Sequence, residues 1–398
     1  MPRPLLGLLT TLALLGAATP AFSLTIVPVF DSSITADPDG AAIQAAINAA
    51  IQAFQTNITD ELTVTIKFVS DPNEGLGASQ TSSSDYAYSD YLAKLKSKVT
   101  SANDALAVKG LPDSATEPVK GGSQINLTSA LARLMGLSTE QPAGGDSTVT
   151  LNMAVQNFTR PGDPQKYDLQ ATVEHEIDEV LGFSSNLNDG KIICPVDLFR
   201  YDSNGQRTFT TNGDNAYFSL DGTTSLARFN QDPTGDYHDW WSAGGQLWSP
   251  PGTAPIAQVQ DAFGATGGFQ DLGSNELTVL DVIGYTLAGG TTITPPTTPA
   301  GPTLSLVSDE EGQITLSWPD AGGGFVLQES ADLTTGSWAA AATGSANPAV
   351  IPATAARNFY RLYKPGSAAA APAKTAPVDS ATTTSPRIKR HVLRARQP

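Results

Sequence analysis

A single cysteine, Cys194, excludes any intrachain disulfide, so this 398-residue chain must be held together by packing and by whatever ions it binds. Cys194 itself is either a metal ligand or, as is commoner for a lone thiol, a small buried apolar residue. Basic residues are also scarce: 23 Lys and Arg stand against 39 Asp and Glu, a net charge of −16. So acidic a body repels nucleic acid and anionic lipid, which removes nucleic-acid binding from the functions to be weighed. The exception is residues 387–398, where Arg387, Lys389, Arg390, Arg394 and Arg396 occur with no acidic neighbour. Together with the Ala/Pro/Thr/Ser stretch before it, this segment reads as a disordered tail over 365–398, basic at its end. Beyond residue 23 no apolar run approaches the roughly 20 residues that cross a bilayer, so no membrane span is expected. Histidine is the scarcest group that can do acid–base or metal chemistry, with only His175, His238 and His391 in the chain.

What is present begins with Arg3, an apolar run from Leu5 to Ala18 and the small-residue site Ala21-Phe22-Ser23. Residues 1–23 read as a secretory signal, which implies a protein that is secreted, extracellular or at the cell surface. The length allows two or three domains. Residues 24–288 read as one α+β domain: a strand over Leu24–Phe30, a helix with Ile43, Ala46, Ile47, Ala50, Ile51 and Phe54 on one face, and an alternating strand through Leu62, Val64, Ile66 and Phe68. Strand, helix, strand implies a right-handed crossover and a partly parallel sheet. Helical patterns follow over Tyr86–Val99 and Leu127–Leu137, then a strand over Thr148–Phe158, and a closing helix over Glu276–Gly284. The fragments Asp37-Pro-Asp-Gly40 and Asp202-Ser-Asn-Gly205 lack the full spacing of a calcium loop and read as turns. Residues 289–302 form a Gly/Thr/Pro linker, and 303–364 carry short strands spaced by turns, an all-β sandwich in outline.

The chemistry concentrates in Val173-Glu-His-Glu-Ile-Asp-Glu-Val-Leu-Gly182. On a helix His175 and Glu179 lie four residues apart on one face and converge on a single cation, while Glu176 reaches water beside it. Zinc accepts imidazole nitrogen and carboxylate oxygen alike, so His175 and Glu179 are expected metal ligands and Glu176 the general base; calcium is the second candidate ion. A third ligand is required. His238 is proposed for it, in competition with Asp236, Asp239, Asp197 and Tyr201, among which no spacing rule chooses. The competing reading is an amphipathic helix with its apolar stripe (Leu169, Val173, Ile177, Val180, Leu181) inward and His175 and Glu179 solvated. Gly182 stands where the helix would stop in a left-handed cap.

This order of elements, with an active-site helix ending in Gly, resembles the metzincin clan of zinc metallopeptidases, whose hallmark is His-Glu-x-x-His-x-x-Gly-x-x-His. His175, Glu176 and Gly182 match; Glu179 stands at the second ligand and Ser185 at the third, and no methionine follows Met153. A nearer likeness is to exported bacterial metalloprotease-like proteins with His-Glu-x-x-Glu-Val-Leu-Gly followed by Asp-Leu-Phe-Arg-Tyr, Gly-Asp-x-x-Asp-Trp and Leu-Asp-Val-Ile-Gly, here 175–182, 197–201, 235–240 and 280–284. The resemblance implies a metzincin-like mixed sheet with an active-site helix and a protein or peptide substrate hydrolysed with Glu176 as base; a monomer is expected. Two other readings stay open: an inactive exported binding or adhesion protein keeping the same fold, and glycan recognition through Trp240, Trp241 and Trp248.

Overall fold

The computed structural model describes residues 24–188, 190–213 and 215–288, with 305–308, 313–318, 326–330, 339–343, 345–352, 358–363 and 387–395. The expected secretory signal (1–23), the linker (289–302) and most of the tail (365–386 and 396–398) lie outside the described residues. The chain divides into two compact units, 1–293 with 380–398, and 294–379. No described helix is long and apolar enough to cross a membrane.

The first unit is α+β. Strand β1 (Leu24–Phe30) leads through the short helix α1 (Ser32–Thr35) into α2 (Gly40–Asn57), whose Ile43, Ile47, Ala50, Ile51 and Phe54 are buried at the expected helical spacing. Strand β2 (Leu62–Ser70) returns parallel to β1, completing the crossover. The next element is one that hydrophobic periodicity does not show: β3 (Gly77–Ala87), sequence GASQTSSSDYA. Its Ser79, Thr81 and Ser83 are buried, so the strand carries hydroxyls where an apolar face would be expected. Helix α3 (Tyr88–Ser97) therefore starts two residues later than its sequence pattern suggests, and α4 (Ala102–Lys109) follows behind a Ser101 capping box. The expected 127–137 helix is strand β4 (Gln124–Thr128) followed by α5 (Ser129–Leu134), and the expected 148–158 strand is β5 (Ser147–Leu151), which ends in a 3₁₀ turn at Met153.

A two-residue ribbon, β6 (Gln156–Asn157) with β7 (Tyr167–Asp168), feeds α6 (Leu169–Leu181), the helix that bears the motif. A small antiparallel sheet of β8 (Arg200–Tyr201), β9 (Tyr217–Phe218) and β10 (Ala227–Arg228) follows, then β11 (Phe263–Gly264) and helix α7 (Ser274–Ile283).

In the second unit β12 (Ser305–Ser308), β13 (Gln313–Ser317) and β16 (Ala349–Pro352) form one antiparallel sheet, and β14 (Val326–Ser330), β15 (Ala339–Ala340) and β17 (Phe359–Tyr363) another. Leu316, Trp318, Leu327, Ala341 and Ala349 share its apolar cluster.

The last described element corrects the sequence reading. Residues 387–395 are not a disordered end but strand β18 (Arg387–Ala395), antiparallel to β3 in the register Arg387↔Ser83 to Leu393↔Gly77. It also pairs with β11, giving the main sheet the order β1-β2-β5-β3-β18-β11, with β4 alongside β3. Composition misleads here because the basic side chains find partners in the fold, Arg387 with Asp85 at 2.8 Å, Arg390 with Glu74 at 2.5 Å and Lys389 with Cys194 Sγ at 2.9 Å, while His391 and Leu393 are buried.

Candidate metal centre

Helix α6 lies under β3 and β18. It starts at Asp168, whose side chain accepts from Ala171 N and is gripped by Arg160. It ends at Gly182 with φ +128°, whose N–H bonds back to Asp178 and Glu179 carbonyls. The helix is buried on all sides: Glu174, His175, Glu176, Asp178 and Glu179 are 0 % exposed, as are Leu169, Val173 and Ile177. The solvated-face reading of His175 and Glu179 is therefore excluded. β3 approaches closely because it enters with Gly77, where a Cβ would sit 2.6 Å from Glu176 Oε1 and 2.9 Å from Thr172 Cγ2.

His175 Nδ1 lies 2.9 Å from Val259 O. A carbonyl only accepts, so Nδ1 carries the proton and Nε2 presents its lone pair inward, the arrangement of a metal-ligating histidine. Glu179 is fixed from the opposite side: Ser79 Oγ on β3 donates to its Oε2 at 2.7 Å, which turns Oε1 toward the imidazoles.

The loop 236–239 supplies the rest. Arg200, buried over the Phe229 ring, donates to Tyr237 O at 2.7 Å and so holds this loop. His238 Nε2 stands 3.0 Å from Glu179 Oε1 and 3.4 Å from Asp239 Oδ1. His175 Nε2 stands 3.6 Å from the same Glu179 atom and 3.7 Å from the same Asp239 atom. Each of these four separations is within reach of two ligands on one ion, but His175 and His238 belong to different donor groups and Glu179 is the residue common to both.

The donors fall into two groups that share Glu179: His175, Glu179 and Asp239 in one, and Glu179, Asp236, His238 and His391 in the other, with His391 Nδ1 3.8 Å from Asp236 Oδ2 and the rings of His238 and His391 centred 4.6 Å apart. The three histidines thus lie in two donor groups joined by Glu179. The structure brings together the expected His175, Glu179 and His238, and with them Asp236 and Asp239. It sets Asp197 and Tyr201 elsewhere. Asp197 accepts from Ser185 Oγ and Cys194 N, and Tyr201 stacks under Arg207.

Burial raises the pKa values of Glu176, Glu179 and Asp239 well above the carboxylate range, and it pushes His238 well below and His391 down to about 3. So many acids in one dry place repel each other unless protons or a cation intervene, at a cost of several kcal/mol per unpaired ion. Their polar atoms are under-used. Both oxygens of Glu176, Asp239 Oδ2 and His391 Nε2 find no hydrogen-bond partner among the described residues. Gln260 Nε2 spans His175 Nε2 at 3.2 Å and Asp239 Oδ1 at 3.0 Å, while its Oε1 is orphaned; half a turn of that carboxamide would offer the oxygen to the same spot as a further donor. The donor set and its orphaned atoms fit a divalent cation.

Sequence reasoning missed Ser79, Gln260 and His391. Only His391 carried a signal, the rarity of histidine, which the basic composition around it masked. Cys194 is buried outside both donor groups; its Sγ lies 2.9 Å from Lys389 Nζ, and burial raises the thiol to about 11. Trp240 is buried among Phe183, Phe218 and Phe229 and donates to Glu276 Oε1 at 3.0 Å, so it is not the exposed sugar platform considered from sequence. Trp241 packs on Arg228 and Trp248 on Tyr217.

Comparisons of the chain with protein-family models, with curated proteins and with solved structures find no significant match.

Proposed function

We propose that the first unit is an exported zinc-dependent peptidase of metzincin-like build, followed by a β-sandwich accessory module in the second unit. The observation that carries this reading is the gathering of buried donors around Glu179, whose Oε1 lies 3.0 Å from His238 Nε2 and 3.6 Å from His175 Nε2, with Asp239 on one side and Asp236 and His391 on the other. Two imidazole nitrogens favour zinc over calcium, which takes oxygen ligands. Zinc held there supplies Lewis acidity, polarising a carbonyl and making water a stronger acid. The chain's own contribution to the chemistry is Glu176. It follows His175 directly, its oxygens have no donor, and burial with the charge of Glu179 raises its proton affinity, as suits a base that must take and hold a proton from attacking water. Carboxylates among the ligands donate more charge than imidazoles would, so turnover slower than at a three-histidine centre is expected.

The test is elemental analysis of the purified chain, then a casein or gelatin assay. Wild type should hold roughly one zinc per chain and His175→Ala should lose it; Glu176→Gln should keep the metal and lose turnover. Unchanged turnover in Glu176→Gln removes the peptidase reading. A second reading, a binding protein with a structural ion, is favoured by the complete burial of Glu176; bound zinc without turnover in wild type would select it.

A further inference from the structure

The proposed centre draws one donor from far along the chain. His391 belongs to β18, which is separated in sequence from the rest of its unit by all of 294–379. The strand is held to β3 by seven residue pairs and to β11 by only two. The half-exposed Arg387 and Arg390 pair with Asp85 and Glu74. Its inner face reaches the donors directly: Val392 N donates to Asp236 Oδ2 at 2.8 Å, and His391, opposite Ser79 in the register, sits edge-on to His238 with Nε2 unpartnered. Ser79 is the residue that holds Glu179, so β18 lies beside the very strand that orients the shared ligand. With β18 in place the donors are sealed. His175, Glu179 and Asp239 are 0 % exposed, His238 1 % and His391 6 %.

We propose that β18 is a metal-locked strap: His391 is a ligand supplied by residues 387–395, so that ion binding and docking of this strand are one coupled equilibrium, and the loaded centre stays closed to substrate until the strand leaves. This rests on the metal centre proposed above. Coupling of this kind is reciprocal. Whatever factor the docked strand adds to ion affinity, the ion must add to strand docking.

The experiment measures both sides. Ion affinity is read by competition with a chromophoric zinc chelator, and amide hydrogen exchange is read for 387–395 with and without zinc, using β1 and β2 as internal references. In wild type, chelation should speed exchange of β18 at least tenfold and leave β1 and β2 unchanged. His391→Ala should bind zinc at least tenfold more weakly and lose the zinc dependence of β18 exchange. Arg387→Glu/Arg390→Glu keeps every donor and weakens docking by reversing the two ion pairs with Asp85 and Glu74; it should also bind zinc more weakly, and it provides a second route if the alanine variant folds poorly. The proposal is overturned if zinc binds wild type and His391→Ala alike, or if β18 exchange ignores chelation. Those outcomes leave the centre at His175, Glu179, His238 and Asp239 standing, whereas wild type that binds no ion overturns both.

Discussion

Ser79→Ala removes one hydroxyl from a polar strand, yet it should damage the metal centre more than its size suggests. Ser79 Oγ donates to Glu179 Oε2 at 2.7 Å, and both residues are 0 % exposed. Water cannot replace the lost donor without room, so the carboxylate keeps its burial penalty and loses the contact that aims Oε1 at the imidazoles. A hydrogen bond to a charged group contributes about 1.5–3 kcal/mol, which corresponds to roughly a tenfold to hundredfold loss of ion affinity. That range matches what loss of partners behind metal ligands usually costs. The assay is zinc titration of the metal-free protein, with urea unfolding of the same samples. Thr81→Val is the control. Thr81 lies two residues along the same buried face, but its hydroxyl meets Ser147 Oγ at 2.9 Å and none of the donors. It should cost about 1 kcal/mol of stability and leave zinc affinity unchanged. If Ser79→Ala binds zinc as tightly as Thr81→Val, Glu179 is not oriented by β3 and the reasoning fails.

Two further outcomes test the scaffold. Asp281 on α7 accepts from Ser101 Oγ, and burial raises it to about 7 from 3.8, so the folded chain holds a proton that the unfolded chain releases. The sign follows: stability present at pH 4 is lost as the pH rises to about 7, by about 2–3 kcal/mol once partial solvent screening is allowed for. Asp281→Asn should shrink the difference between urea midpoints at pH 5 and pH 8, and an unchanged difference refutes the assignment. Gly182→Ala places a Cβ at φ +128°, 3.0 Å from Leu131 Cδ2 and 3.2 Å from Ile283 Cδ1, and should destabilise by about 1–3 kcal/mol in urea unfolding; a wild-type midpoint would show that the cap can relax.

How far the sequence could be read depended on whether a residue's neighbours were local. Helix α2 and strands β1 and β2 show in the pattern of apolar residues because each hides one face from water, a property a single segment carries alone, and α6 and α7 show through the helical spacing of their apolar residues. The pairing of His175 with Glu179 was legible for the same reason, since one turn of helix sets it. The strands β3 and β18 were not legible. β3 buries hydroxyls instead of methyl groups, and those hydroxyls make sense only with Glu179 and Ser147 opposite them. β18 looks like a solvated basic end until Asp85, Glu74 and Asp236 are brought beside it from elsewhere in the chain.

The motif, its helix and the glycine that stops it were thus determined by the sequence alone. Tertiary structure alone decided that His238 and Asp239 reach Glu179, that Asp197 and Tyr201 do not, and that His391 joins them from 212 residues beyond Glu179 along the chain. Ligand sets of this kind depend on distances of 3 to 4 Å between groups remote in sequence. Such distances are fixed by sheet register and loop anchoring, and no local spacing encodes either.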